Sequence, residues 1–380
     1  MKRLVNVIIV FTTIYSISCT KSGSEESEPV VPPESQSRLT QILDSLRRAH
    51  NLPALAGAVV ADTGVIEARA VGSRRYNGPA NVADNDEFHL GSDTKAITSA
   101  LIATLVDDSL LTWDTTLPDI FPEYSSTMRT EYKTVTVRDL LSHGAGFMAN
   151  PTITPTRTTT SEQRAEVVAW AFSQPPSNPK GTYNYSNLGY IIAGAIVDKV
   201  AGKSYEDLLA ERILQPLGIT TAGFGPMGTV GRDDQPLQHT PNYQPVDPLP
   251  ENDNPPIFNS AGRLHMSIGD WGKYVRWVLA CEAGRPTLLR GTTAAALTTG
   301  ITQVPGGGSY AMGWMVVPAE WAGGPALTHA GSNTMNYAVA WLAPGRKFAV
   351  ISATNICANS TPSAMDAVSG RLIQFYLYGN

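Results

Sequence analysis

The sequence predicts an α+β protein: an antiparallel sheet built from both chain ends, flanked by helices, with a mostly helical region inserted between them. Strand-like runs lie at 54–71 and again at 310–354, near opposite ends of the chain. The stretch between them repeats its apolar residues at helical spacing, and helix patterns also bracket the strands at 38–46 and 364–377. A sheet closed by both termini with a helical insertion leaves a groove between the two parts, where a site is expected.

Taken in order, Met1-Lys2-Arg3 is a short basic start, and Leu4–Tyr15 is apolar but too short to span a membrane. Residues 1–18 read as a secretory signal. Ser16-Ile17-Ser18 puts small residues before Cys19 and resembles a bacterial lipoprotein cleavage box, although Ser16 stands where leucine is usual. Residues 19–36 are Ser-, Glu- and Pro-rich, with too little apolar surface to fold, and read as a tether from a lipidated Cys19. The expected place is the bacterial cell envelope, outside the cytoplasm, with the membrane reached only through that anchor.

The folded domain is expected over 37–380. Leu39, Ile42, Leu43 and Leu46 mark one face of a first helix, and 54–71 reads as two strands turning at Asp62-Thr63-Gly64. Gly91 then breaks a strand-like segment. Ile97, Leu101 and Leu105 follow at helical spacing, so a buried helix starts close to Ser92. Pro118 and Pro122 suggest a loop-like region, Thr136–His143 a helix start, 144–160 a loop, and 161–173 and 187–214 helices. Residues 225–258 are crowded with Pro, Gly, Asp and Asn and read as a long surface loop. A helix through Trp271, Tyr274, Val275, Trp277 and Val278 leads to Cys281. Strands over 310–318, 326–342 and 347–354 and a helix with Met365, Val368, Leu372 and Phe375 inward complete the chain.

Composition excludes some functions. The net charge of −5, without a basic run, gives no footprint for nucleic acid. The three cysteines, Cys19, Cys281 and Cys357, lack zinc spacing, and no His-Glu-x-x-His accompanies the six histidines, so neither metal nor organic cofactor is expected. Cys281 and Cys357 could pair in an oxidising compartment or stay two separate buried thiols.

The chemistry centres on Gly91-Ser92-Asp93-Thr94-Lys95. At a helix start, Ser92 and Lys95 stand one turn apart on one face, and a packed amine of lowered pKa can help take the serine proton. Two other Ser-x-x-Lys matches fall in the leader (Ser18–Lys21) and across Pro179 (Ser177–Lys180), where no such helix can open. Tyr185 and Asn187 sit two residues apart in a turn before a helix, which Asn187 could also cap. Leu327-Thr328-His329-Ala330-Gly331-Ser332 puts small residues at a strand end.

These three motifs, in this order and spacing, resemble the serine β-lactamase and penicillin-binding protein family, in the branch of class C β-lactamases, D-alanyl-D-alanine carboxypeptidases and related esterases. The resemblance covers most of 37–380 and includes Leu110–Asp114, Thr136–His143, Pro179-Lys180-Gly181, Gly313-Trp314 and Ala353-Thr354-Asn355. It implies a β-lactamase/transpeptidase-like fold, Ser92 as nucleophile, and Lys95 and Tyr185 sharing its proton. It further implies that Asn187 holds the substrate amide or the lysine, that His329-Ala330-Gly331 forms the third motif, and that the Ser92 and Ser332 N–H groups form the oxyanion hole. For Tyr185 to serve, a nearby cation must depress its pKa from about 10, and Lys95 is expected to supply it.

His329 stands where β-lactamases usually carry lysine. An ordinary imidazole titrates near pH 6.5, so attraction for a substrate carboxylate should fade, and KM rise, between about pH 5.5 and 7.5. No Gly-x-Ser-x-Gly elbow is present, which disfavours an α/β-hydrolase. The expectation is a monomeric serine hydrolase acting on a small molecule or a peptidoglycan peptide: a D-alanyl peptide, a β-lactam or a small ester. The rival is a penicillin- or peptide-binding module that does not turn over.

Overall fold

The computed structural model describes residues 37–379. The expected signal, Cys19 and the tether lie outside the described residues.

Ser37 accepts a hydrogen bond from the Thr40 N–H and opens α1 (Arg38–Ala49), with Leu39, Ile42 and Leu43 buried. β1 (Ala54–Ala61) and β2 (Gly64–Gly72) form the expected hairpin. β3 (Glu87–His89) runs into a 3-10 turn over Gly91–Asp93 and then α2 (Thr94–Asp107). The helical part begins with α3 (Leu117–Ile120), α4 (Val137–Leu141) and α5 (Thr160–Ser173), each opened by a Thr capping box closed by Asp119, Asp139 and Glu162 respectively. Pro118 and Pro122 lie in first turns, where a missing N–H breaks no helical bond, and not in a loop.

The helix expected over 187–214 is interrupted. Gly202, at φ +62°, ends α6 (Asn187–Ala201), and Ser204 caps α7 (Tyr205–Leu209). Left-handed backbone is easily reached by glycine and stops the helix. β4 (Gly223–Phe224), β5 (Gln238–His239) and β6 (Pro245–Val246) follow. The segment 225–258 is therefore not simply a surface loop: β5 pairs with β6, and Leu237, Gln238 and His239 are buried. Next come α8 (Asn259–Gly262), β7 (Leu264–Ser267), α9 (Ile268–Glu282) and α10 (Gly291–Thr298). The chain closes with β8 (Thr302–Gln303), β9 (Ser309–Tyr310), β10 (Met315–Ala319), β11 (Gly324–Ser332), β12 (Tyr337–Ala343), β13 (Phe348–Thr354) and α11 (Thr361–Tyr378).

The main sheet has eight antiparallel strands in the order β2-β1-β13-β12-β11-β10-β9-β8, so the N-terminal hairpin docks on the last strand of the chain. Successive side chains alternate between faces. Leu55, Val59, Val339 and Val350 meet Leu39, Leu43, Met365, Val368 and Leu372 of α1 and α11. Ala56, Ala58, Ala340 and Ile351 belong to the larger core with α2, α6 and α9. Residues Thr94–Leu105 of α2 are all buried, so this helix is enclosed and not one-sided. Among the described residues no helix is long and apolar enough to cross a membrane. Cys281 and Cys357 are both free thiols.

Arg164 ties the helical part together. Its side chain is wholly buried and bonds Asp198 at 2.8 Å and Glu206 at 2.8 Å, joining α5, α6 and α7. Arg164→Ala leaves both acids without that partner, but each keeps some access to water. The loss should be about 3 kcal/mol, readable by urea unfolding. In protein lacking Cys19, thiol titration under denaturing, non-reducing conditions should find both Cys281 and Cys357 reactive.

Candidate active site

Ser92 stands on the 3-10 turn that joins the end of β3 to α2. Two glycines let the end of β11 press on that turn. Gly91 has φ +52°, and a Cβ there would lie 2.2 Å from the Ser332 nitrogen; a Cβ on Gly331 would lie 2.0 Å from the Leu90 oxygen and 2.5 Å from the Ser92 nitrogen. Side chains at either position are excluded, and the backbones of Gly91-Ser92 and Gly331-Ser332 meet directly.

Lys95, one turn on, is fully buried. Its Nζ lies 3.0 Å from Ser92 Oγ and donates to Asn187 Oδ1 at 2.7 Å and the Ala261 carbonyl at 2.6 Å. It also lies 4.8 Å from the Tyr185 ring centroid and 5.5 Å from that of Tyr190. Burial pushes its pKa well below the usual value, against the pull of Asp93. Asp93 is itself buried, and neither carboxyl oxygen has a hydrogen-bond partner among the described residues. Burial drives its pKa up against the opposing pull of Lys95, towards the neutral acid.

Tyr185 and Asn187 arrive from the entry to α6. Ser186, not Asn187, is the helix cap: its Oγ accepts from the Gly189 N–H at 2.9 Å. The Asn187 amide is thereby free to receive Lys95 and to donate to Asn150 Oδ1 at 2.8 Å. Tyr185 hydrogen-bonds Ser92, but burial pushes its pKa well above 10. The expected depression of the phenol is thus reversed, because burial outweighs the lowering effect of its hydrogen bond with Ser92. His143, which the sequence reading did not single out as a site residue, orders this turn. Its Nδ1 accepts from the Ser186 N–H at 3.1 Å, its carbonyl accepts from the Asn184 N–H at 2.9 Å, and its ring centroid lies 4.4 Å from that of Tyr185.

The third motif lies on β11. Gly331 and Ser332 reach the serine turn, but His329 does not present a charge to the groove as expected. It is 3% exposed, its Nε2 is 2.9 Å from the Tyr310 hydroxyl, and burial with help from Lys95 lowers its pKa to about 3. The imidazole stays neutral across the range where carboxylate attraction was expected to fade. Ser92, Tyr185, Asn187 and Ser332 are half-buried, so they are the members of the set that a substrate can touch. Sequence reasoning also missed His89 and Asp253, whose side chains are wholly buried 3.1 Å apart behind the serine turn.

The sequence profile of the family described as Beta-lactamase matches residues 39–374. The chain belongs to the beta-lactamase family. Among curated relatives, this beta-lactamase family member is similar to Penicillin-binding protein 4 of Amycolatopsis lactamdurans, at 28% identity over 80% of each chain. It is also similar to Unguisins hydrolase ungD' of Aspergillus campestris, at 26% identity over 59% of this chain but only 43% of that protein. Among solved structures it resembles a D-alanine carboxypeptidase of Burkholderia cenocepacia, with TM-score 0.71 and 16% identity over 89% of this chain and 98% of that one. That likeness establishes the β-lactamase/transpeptidase-like fold.

The depressed His329 has a consequence for stability. The unfolded chain takes up this proton near pH 6.5 and the folded protein only near 3, so acid favours unfolding between those values. The stability difference between wild type and His329→Gln should be constant above about pH 6.5. Below it, the wild type should lose up to about 1.4 kcal/mol per pH unit relative to the variant, measured by urea unfolding.

Proposed function

We propose that this protein is a serine hydrolase that cleaves an amide or ester through an acyl-Ser92 intermediate. The observation that carries the reading is the seat of Lys95. The Asn187 amide oxygen and the Ala261 carbonyl can only accept, so a neutral amine commits its two N–H groups to them and turns its lone pair to Ser92 Oγ. Burial favours that neutral form. Lys95 is then the base that takes the serine proton as Oγ attacks the carbonyl carbon, and in the ammonium form its third N–H returns to the same oxygen.

Tyr185, held as a phenol beside Ser92, is the acid for the leaving group. The N–H groups of Ser92 and Ser332, brought together by the two glycines, receive the developing oxyanion. Asn187 orients the amine. The names of its relatives put penicillins and D-alanyl peptides among the substrates to test. One observation favours a small-ester carboxylesterase as the second reading: a neutral His329 supplies no cation for the carboxylate that penicillins and D-alanyl peptides share. We further propose that a lipid on Cys19 holds the enzyme at the bacterial envelope.

Intact-protein mass spectrometry after exposure to a penicillin, a D-alanyl-D-alanine peptide and a p-nitrophenyl ester tests the reading. An acyl adduct should map to Ser92 and disappear as turnover proceeds; an adduct that persists with all three would make the protein a binding module. Ser92→Ala should abolish both labelling and turnover while remaining folded, and hydrolysis by a pure preparation of that variant would overturn the assignment. Tyr185→Phe should lower the rate at least about a hundredfold.

A further inference from the structure

Asp253 lies in the segment 225–258, whose composition suggested only a surface loop, yet its side chain has 0% exposure. Its carboxylate collects donors from three walls of the site. Oδ2 accepts from His89 Nε2 at 3.1 Å and from Arg263 Nε at 3.4 Å, and Oδ1 accepts from Asn333 Nδ2 at 3.1 Å and the Asn254 N–H at 2.8 Å. Each of the three distant partners adjoins a working part of the site. His89 Nδ1 accepts from the Gly91 N–H at 3.0 Å, immediately before Ser92. Asn333 follows Ser332. Arg263 is two residues from Ala261, whose carbonyl receives Lys95.

The polarity of this network is fixed at each end. Because His89 Nδ1 accepts from the backbone, its proton sits on Nε2 and points at Asp253. Asn333 cannot turn its amide round, since Oδ1 already accepts from the Met335 and Asn336 N–H groups and from Asn336 Nδ2. Two outward donors therefore converge on opposite oxygens of one side chain, which only a carboxylate can satisfy. An Asp253→Asn amide has one acceptor and one donor, so one of the two arms must face another donor.

We infer that Asp253, acting through His89 and Asn333, is the positioning residue that fixes the Ser92 and Ser332 backbone N–H groups against each other. This rests on the acyl-Ser92 reading, in which those groups receive the oxyanion. The glycine contacts allow the two backbones to touch; the Asp253 network holds them in register from behind, without reaching the substrate. Its removal weakens what is made in the transition state more than what is made in the ground state.

The test uses the full chain with p-nitrophenyl acetate as substrate and phenylboronic acid, whose tetrahedral adduct mimics the intermediate, as inhibitor. Asp253→Asn should lower kcat/KM about ten- to hundredfold and weaken boronate inhibition by the same factor, with KM changed far less. His89→Gln breaks the chain at its other end, keeping a donor for Asp253 while placing no acceptor where His89 Nδ1 receives the Gly91 N–H. It should behave alike, and it decides the matter if Asp253→Asn does not fold. Folded variants with a lower melting temperature but unchanged kcat/KM and boronate inhibition would overturn the inference. Mass spectrometry of the wild type separates the two ideas: no acyl adduct on Ser92 sinks the acyl-enzyme reading and this one with it. An adduct in the wild type together with unaffected variants sinks the positioning role alone.

Discussion

The buried contact between the Lys95 amine and the Ser92 hydroxyl sets the terms for the rest of the site. An amine that must carry an extra proton away from water is costly unless each N–H of its charged form finds an acceptor, and the three partners here come from the serine turn, the start of α6 and α8. Those elements are far apart in sequence, so the helical part must be folded before the amine is satisfied. The all-round burial of α2 serves the same end, because a helix open to solvent on one face would let water reach the first turn. Stability and reactivity are thus drawn from one arrangement: the groups that make burial of the amine tolerable also aim it.

Burial around that amine explains why the other titratable groups settle in their neutral forms. Tyr185, Tyr190 and Tyr310 are raised by burial, while His143 and His329 are lowered by burial first and would be lowered further by a proton on Lys95. Residue identity alone invites the opposite assignment, with a phenolate next to an ammonium and a titrating imidazole in the groove. Desolvation outweighs pairwise attraction here, so protons are held by the phenols, and the amine becomes the group free to take one. The same reasoning separates Lys95 from a surface lysine at equal spacing from a serine, which would keep its proton at neutral pH.

Much of the fold was legible because it rests on periodicity. The short continuous apolar runs of β1 and β13, buried on both faces, and the helical spacing in α1, α2, α9 and α11 mark these elements, and the sheet built from both ends follows. Ser92, Lys95, Tyr185 and Asn187 were legible from motifs and do converge. The break at Gly202 was readable in principle, since Gly-Lys-Ser carries a helix stop and the next cap within three residues, but continuous apolar spacing on either side concealed it. β7 was hidden for a related reason: four residues of strand run directly into the apolar face of α9. The state of His329 could not be read at all, because it depends first on burial by elements distant in sequence and then on a lysine from another element.

Asp253 and its partners were invisible for a deeper reason. Apolar packing repeats along an element and leaves a period; a hydrogen-bonded node gathers single residues from unrelated places and leaves none. Segment 225–258 is secured by side-chain bonds through Gln238, Asn252 and Asp253, so its Pro, Asn and Asp content resembles that of a solvated loop while several of its side chains are buried. Such a node offers what packed methyl groups do not, because each hydrogen bond has a direction as well as a length. If two backbone N–H groups, one from the sheet and one from the helical part, share one oxygen as proposed, directional contacts behind them are the means by which the two halves of the fold can be held at a fixed separation.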